Sequence, residues 1–295
     1  MKDGIILIDK EQGLTSQAVV TGVKRLFWAD KAGHTGTLDP MATGVLPVLI
    51  GRGVKASEFM LSAEKHYEAE LTLGLTSDTE DIWGEVLTRS DAIPDESAVM
   101  AVLERFRGEI LQTPPMYSAL KVGGKKLCDL ARSGVVIERT ARPITVYSLS
   151  AKPLDDRRYV LNVHCSKGTY IRTLCADIGS ALGCGGVMSA LRRVEASGFP
   201  IERAHTLTQI KDMTPEERER LVLPIECVFE SLAIVTLPPF FARLAHSGLE
   251  IYQKKIGTSY PIGTRLRLYD ESGFFAIGEV REYENGTAIK PIRQF

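Results

Sequence analysis

Stretches in which apolar and polar residues alternate recur along the whole chain, and they narrow the folds open to it more than any other feature. Tyr67, Ala69, Leu71 and Leu73 share one face of a segment, Tyr159 to Cys165 repeats the pattern, and Thr264 to Tyr269 alternates strictly. A period of two marks a half-buried strand, and such strands need partners from distant parts of the chain. Gly4-Ile5-Ile6-Leu7-Ile8-Asp9 reads as a further, buried strand. Helical patterns lie between them. Thr15-Ser16 can cap a helix whose apolar positions are Val19, Val23 and Phe27, Ala98 to Phe106 reads as a short amphipathic helix, and Tyr170 to Leu182 as one ended by Gly183. Near the C-terminus, Asn285-Gly286 between Glu279-Val280 and Ala288-Ile289 is a strong hairpin signal. The expected fold mixes α and β, with a small β module beginning near Ile234.

At 295 residues, 44% of them hydrophobic, the chain has room for one large domain and a small one. No apolar run approaches the roughly 20 residues of a membrane span, and Met1-Lys2-Asp3-Gly4 does not open a signal peptide, so the expected location is the cytoplasm. The five cysteines are scattered, without a Cys-x-x-Cys pair or zinc-like histidine spacing, and are expected to be reduced structural thiols with no metal. A net charge of −1 carries no global sign of a nucleic-acid partner. The charge is uneven, however. Lys121, Lys125, Lys126, Arg132, Arg139 and Arg142 face only Asp129 and Glu138 in their segment, which suits either a solvated face or a phosphate-tracking surface. Its glycines, Gly123, Gly124 and Gly134, suggest a mobile excursion rather than a packed element.

Chemistry could reside in Ala32 to Pro40, a loop carrying His34, Gly36 and Asp39. Pro40 constrains the backbone of Asp39 and would present its carboxylate stiffly, although an Asp before a Pro also reads as a turn residue. His34 is equally open to a capping or core role. Arg172 follows Gly168 where a strand gives way to a helix, and a bidentate guanidinium there could orient a carboxylate.

Gly33-His34-Thr35-Gly36-Thr37-Leu38-Asp39-Pro40, Pro115-Met116-Tyr117-Ser118-Ala119-Leu120-Lys121, His164 to Thr173 and Leu191-Arg192-Arg193 occur in that order. Together they resemble the TruB family, the bacterial tRNA pseudouridine-55 synthases, from about Gly4 to about Pro200, with a weaker likeness to the family's PUA domain beyond. The resemblance implies a pseudouridine synthase fold: a central mixed, largely antiparallel sheet flanked by helices over residues 1–232, an RNA-clamping thumb at about 112–143, and a PUA-like RNA-binding domain at 233–295. It implies that Asp39 is the catalytic aspartate and Arg172 its ion-pair partner. Tyr67 would stack on the target base, Tyr170 and Leu191 would line the pocket, and His34 would help fill the space the flipped nucleotide leaves. Lys121, Lys125, Lys126, Arg192 and Arg193 would track the RNA backbone. The implied partner is the T-arm stem-loop of tRNA, with no cofactor, no membrane, no obligatory protein partner and a monomeric enzyme. Glu11, Ser77, Cys128 and Gly186 depart from the family's usual proline, threonine, tyrosine and alanine, all outside the inferred catalytic set.

Uridine becomes pseudouridine when its N1–C1′ bond breaks, the base rotates and C5 rejoins C1′, with no redox change. The nucleotide must first leave its stack, at a cost of a few kcal/mol, and an aromatic face then holds the base. One carboxylate can serve as nucleophile or as the base that starts an elimination, and a tyrosine over the sugar could take the C2′ proton. An RNA-binding protein without catalysis, or a guide-dependent synthase, are the competing expectations.

Overall fold

The computed structural model describes residues 3–118 and 120–295, apart from the side chains of Lys121 and Lys126. A nine-stranded sheet dominates. Its main path runs Gly4–Lys10, Thr43–Ile50, Gly186–Ala196, Lys65–Leu73, Arg158–Cys165, Arg142–Pro153 and Gly108–Gln112, with Ala32–His34 on Thr43–Ile50 and Phe199–Pro200 on Gly186–Ala196. All these pairings are antiparallel except that of Gly186–Ala196 with Thr43–Ile50, so the sheet is mixed and largely antiparallel.

The continuous apolar run of the first strand has a direct cause. Ile6 and Ile8 face one buried cluster with Val19, Val23, Leu46, Leu71 and Ile178, while Ile5 and Leu7 face another with Leu49, Met60 and Phe199. A strand covered on both faces has no polar side to alternate with. Helix Ser16–Leu26 starts where expected: Thr15 accepts a hydrogen bond from the Ala18 amide at 3.0 Å. Helices Glu96–Leu103 and Ile171–Ala181 occupy the other two predicted stretches.

A separate five-stranded sheet is built from Ala233–Thr236, Ile251–Tyr252, Arg265–Asp270, Gly273–Tyr283 and Gly286–Gln294 around its own core of Val235, Ala245, Leu266, Leu268 and Val280. The predicted hairpin is present with Val280 opposite Ile289, but Glu284-Asn285 form its tip and Gly286, at φ 113°, opens the returning strand.

The basic segment corrects one expectation. Rather than an excursion without packed elements, it forms two short paired strands, Lys121–Val122 and Lys125–Lys126, followed by helix Leu127–Arg132 with Leu127 buried. Gly123 and Gly124, at φ 58° and 83°, supply the tight turn that residues with a Cβ rarely make.

Candidate active site

The loop bearing Asp39 is pinned on both sides of that residue. Buried Ser16 accepts from the Leu38 amide at 2.9 Å and donates to the Leu38 carbonyl at 3.0 Å. Beyond Asp39, the buried Lys10 ammonium donates to the Pro40 carbonyl at 3.0 Å, to Leu14 at 2.7 Å and to Glu11 at 3.1 Å. Burial lowers the Lys10 pKa to about 8, against the pull of the Asp39 carboxylate. The floor of the loop is Arg193, which donates to Val45 at 2.8 Å and to Gly36 at 3.2 Å. Gly44 permits this approach: at φ 110°, a Cβ there would meet the Arg193 carbonyl oxygen at 2.2 Å.

Arg172 meets Asp39 through Nε, at 2.9 Å from Oδ2. Its other nitrogens are committed elsewhere: Nη1 donates to Thr79 at 2.9 Å and lies 3.6 Å from Asp81 Oδ2, and Nη2 donates to Tyr117 at 2.8 Å. The bidentate grip expected from sequence is therefore replaced by one contact, because the guanidinium also ties together the Thr79 and Tyr117 loops. Arg172 lies in the first turn of helix Ile171–Ala181, and Gln112 fixes that helix's entry by accepting from the Tyr170 amide at 2.8 Å and donating to its carbonyl at 3.0 Å.

These groups border a cavity of about 290 Å³ lined by Asp39, Tyr67, Tyr170, Arg172, Leu191 and Lys65, among others. Tyr67 lies in Lys65–Leu73 opposite Val163 and Arg193, and is buried. Burial raises its pKa, with Arg193 pulling the other way. Bulges in Gly186–Ala196 between Met188 and Ala190 and between Arg193 and Glu195 bracket Leu191, which lines the cavity. Burial lowers the Lys65 pKa to about 8, with neighbouring Arg193 acting in the same direction.

Of the other expected positions, His34, Arg192 and Lys125 fall outside the cavity's lining. His34 accepts from the Gly36 amide through Nδ1 at 3.3 Å, and burial and Arg193 lower its pKa, favouring the neutral ring. Arg193 lines the cavity but is 1% exposed, and its guanidinium is bound to the Val45 and Gly36 carbonyls of the loop region. Arg192 is half-exposed, with its guanidinium paired to Asp9 at 3.2 and 2.8 Å. Lys125 is exposed, whereas the side chains of Lys121 and Lys126 lie outside the described residues. Lys10, Lys65, Asp81 and Gln112 were not singled out from sequence, and Ser16 only as part of a helix cap. A buried lysine in a strand and a glutamine before Thr113-Pro114 give no local signal of such roles. All five cysteines are free thiols. Among the described residues no cluster of His, Cys, Asp or Glu could hold a metal, and no helix is long and apolar enough to cross a membrane.

The fold is that of pseudouridine synthases. A solved complex of Cbf5, Nop10 and Gar1 superimposes with a TM-score of 0.72 at 27% identity, covering 99% of this chain and 84% of that one. An H/ACA RNP bound to a substrate RNA containing 2′-deoxyuridine matches with a TM-score of 0.72 at 25% identity, over 99% of this chain and 84% of that one. The N-terminal domain of TruB family pseudouridylate synthases matches residues 24–171, and the C-terminal domain of tRNA pseudouridylate synthase B matches residues 172–230. The chain belongs to the TruB family. It is 44% identical to tRNA pseudouridine synthase B of Methylobacillus flagellatus, covering 94% of this chain and 91% of that one. With the tRNA pseudouridine synthase B of Alkaliphilus oremlandii the identity is 42%, over 99% and 98% of the two chains.

Proposed function

We propose that this chain is a tRNA pseudouridine synthase that isomerises uridine 55 in the T-arm loop, with Asp39 as the reacting carboxylate. The observation that carries the reading is the Asp39–Arg172 pair at the edge of a cavity that also holds a buried tyrosine. Asp39 keeps 42% of its side chain exposed, so a nucleotide can reach the carboxylate that Arg172 holds in place. Tyr67 and Leu191 offer an aromatic and an aliphatic wall for one unstacked pyrimidine, and Tyr170 closes the side near Arg172. Burial favours the neutral Tyr67 phenol, which fits a stacking ring and hydrogen-bond donor better than a resting phenolate base. No step calls for a cofactor.

In this reading residues 1–232 are the catalytic domain, the basic segment at about 112–143 clamps the stem-loop, and residues 233–295 form a PUA-like RNA-binding domain. The enzyme acts in the cytoplasm as a monomer without a guide RNA or protein partner. The test is purified protein with an unmodified T-arm stem-loop and no other component, followed by mapping of the modified nucleotide. Conversion only after a guide RNA or partner protein is added would replace this reading with the guide-dependent one. Tight binding without conversion would leave an RNA-binding protein.

A further inference from the structure

Buried side-chain polar atoms without a hydrogen-bond partner are rare in folded proteins, because each costs on the order of 1–3 kcal/mol when stranded. Among the described residues there are four: Thr35 Oγ1, Ser118 Oγ, Arg139 Nε and Thr258 Oγ1. Two of the four, Thr35 and Ser118, line the cavity that holds Asp39. Thr35 is 1% exposed and Ser118 is 5% exposed, so open solvent does not satisfy them.

Each of the two stands where a neighbour has already been fixed. Thr35 is in the Asp39 loop, its amide donating to Pro47 at 3.3 Å, with Gly36 held by Arg193 immediately after it. Ser118 follows Tyr117, whose carbonyl is bound by Arg172, and its own carbonyl accepts from the Cys128 amide at 3.0 Å. The Ser118 hydroxyl is close enough to Tyr170 to oppose the burial that raises the phenol's pKa, yet it makes no bond of proper geometry. The backbone at both positions is committed and both hydroxyls are unspent.

We propose that the Thr35 and Ser118 hydroxyls are positioning contacts that hydrogen-bond the extruded nucleotide. A uridine carries the carbonyl oxygens O2 and O4, an N3–H and a 2′-hydroxyl, and all of these must lose water inside a closed pocket. A hydroxyl can donate to the first two and exchange a bond with the others. The two residues come from separate segments, so together they fix the orientation of the ring rather than only its presence. Ser118 also joins the pocket to the basic segment through Cys128, which makes its hydroxyl position responsive to how that segment is seated. The proposal rests on reading the cavity as a uridine pocket.

The test uses Thr35→Val, which keeps the side chain's shape, and Ser118→Ala, in the full-length protein. Single-turnover conversion is measured on T-arm stem-loops carrying uridine, 2-thiouridine, 4-thiouridine or 2′-deoxyuridine at the target. Each variant is expected to slow conversion of the uridine substrate roughly 5- to 150-fold. For each, the loss should shrink on the analogue lacking the atom that the hydroxyl contacts. The melting temperature is followed in parallel. Unchanged rates for both variants overturn the proposal, as does an equal loss on all four RNAs accompanied by a lower melting temperature. If the unaltered protein makes no pseudouridine, the reaction reading fails separately. Affinity for stem-loops with uridine or an abasic site at the target then decides the contacts: both variants must narrow that difference, and an unchanged difference overturns the proposal.

Discussion

Arg172 holds Asp39 through a single nitrogen, Nε at 2.9 Å from Oδ2, while being only 6% exposed itself. The remaining nitrogens bind the Thr79 and Tyr117 carbonyls, so one residue sets both the orientation of the carboxylate and the position of two loops. Arg172→Lys keeps the charge but replaces a planar fork with a compact ammonium that cannot reach all three partners. It is expected to lose at least tenfold in turnover, and Arg172→Ala to lower unfolding free energy by about 3 kcal/mol as two carbonyls and a carboxylate lose their donor. Denaturant titration and single-turnover rates check the two effects. Asp39→Asn should bind RNA as the parent does and convert almost none of it, so undiminished conversion would remove Asp39 from the chemistry.

Lys65 gives the cavity a pH dependence. With its pKa lowered to about 8, it is charged below that pH and increasingly neutral above it. A cation beside an RNA site attracts phosphate, so affinity is expected to fall as pH rises through about 8, and Lys65→Met should bind more weakly at pH 7 and lose that step. The sign for stability is opposite. The folded-state pKa lies below that of the unfolded chain, near 10.4, so between about 8 and 10.4 the unfolded state binds more protons and folding stability rises with pH. Lys10, also at about 8, adds to the same slope. Equilibrium unfolding across pH 7 to 10 should show a shallower rise in Lys65→Met.

Gly44→Ala tests the packing under the loop. The new Cβ would fall 2.2 Å from the Arg193 carbonyl oxygen, and alanine at φ 110° is strained even in open space. A loss of about 3 kcal/mol in unfolding free energy is expected from strain and overpacking together. A variant as stable as the parent would show that the strand Thr43–Ile50 can move away from Gly186–Ala196.

What was legible in sequence follows how locally each role is encoded. Asp39 and Arg172 were marked by the ordered motifs Gly33 to Pro40 and His164 to Thr173, since taken alone an Asp before a Pro also fits a turn and an arginine also fits a surface, and the alternation around Tyr67 identified its strand. Lys10, Ser16 and Gln112 act on backbone atoms of segments distant in sequence, at positions fixed only once the sheet order is known. The parallel pairing of Gly186–Ala196 with Thr43–Ile50 is such a fact: it brings Arg193 opposite Gly44 and beneath Gly36. A signal for Arg193 did exist. Successive residues of a strand point to opposite faces, so Arg192 and Arg193 could not both face RNA across one surface. The hairpin glycines Gly123 and Gly124 were visible, but they fit a tight turn as well as a loose loop, and the buried Leu127 decides between them.

The different settings of the basic residues make a prediction about salt. An exposed lysine that contacts a phosphate releases a counterion, contributing about 0.7 to the log–log slope of affinity against salt on single-stranded RNA. Lys125 is exposed, so Lys125→Gln should flatten the slope by about that amount. Arg193 is 1% exposed and its guanidinium is bound to Val45 and Gly36. Arg193→Met should therefore leave the slope unchanged while lowering the melting temperature and the rate, since the Asp39 loop loses its floor. Arg192 lies between these cases: its charge is shared with Asp9, so Arg192→Gln should flatten the slope by less than Lys125→Gln does. Filter binding between 50 and 200 mM salt, roughly the range over which phosphate contacts separate, ranks the three. If Arg193→Met flattened the slope as much as Lys125→Gln while the protein stayed fully folded, the arginine would have to reach the RNA, and its place beneath the loop would be wrong.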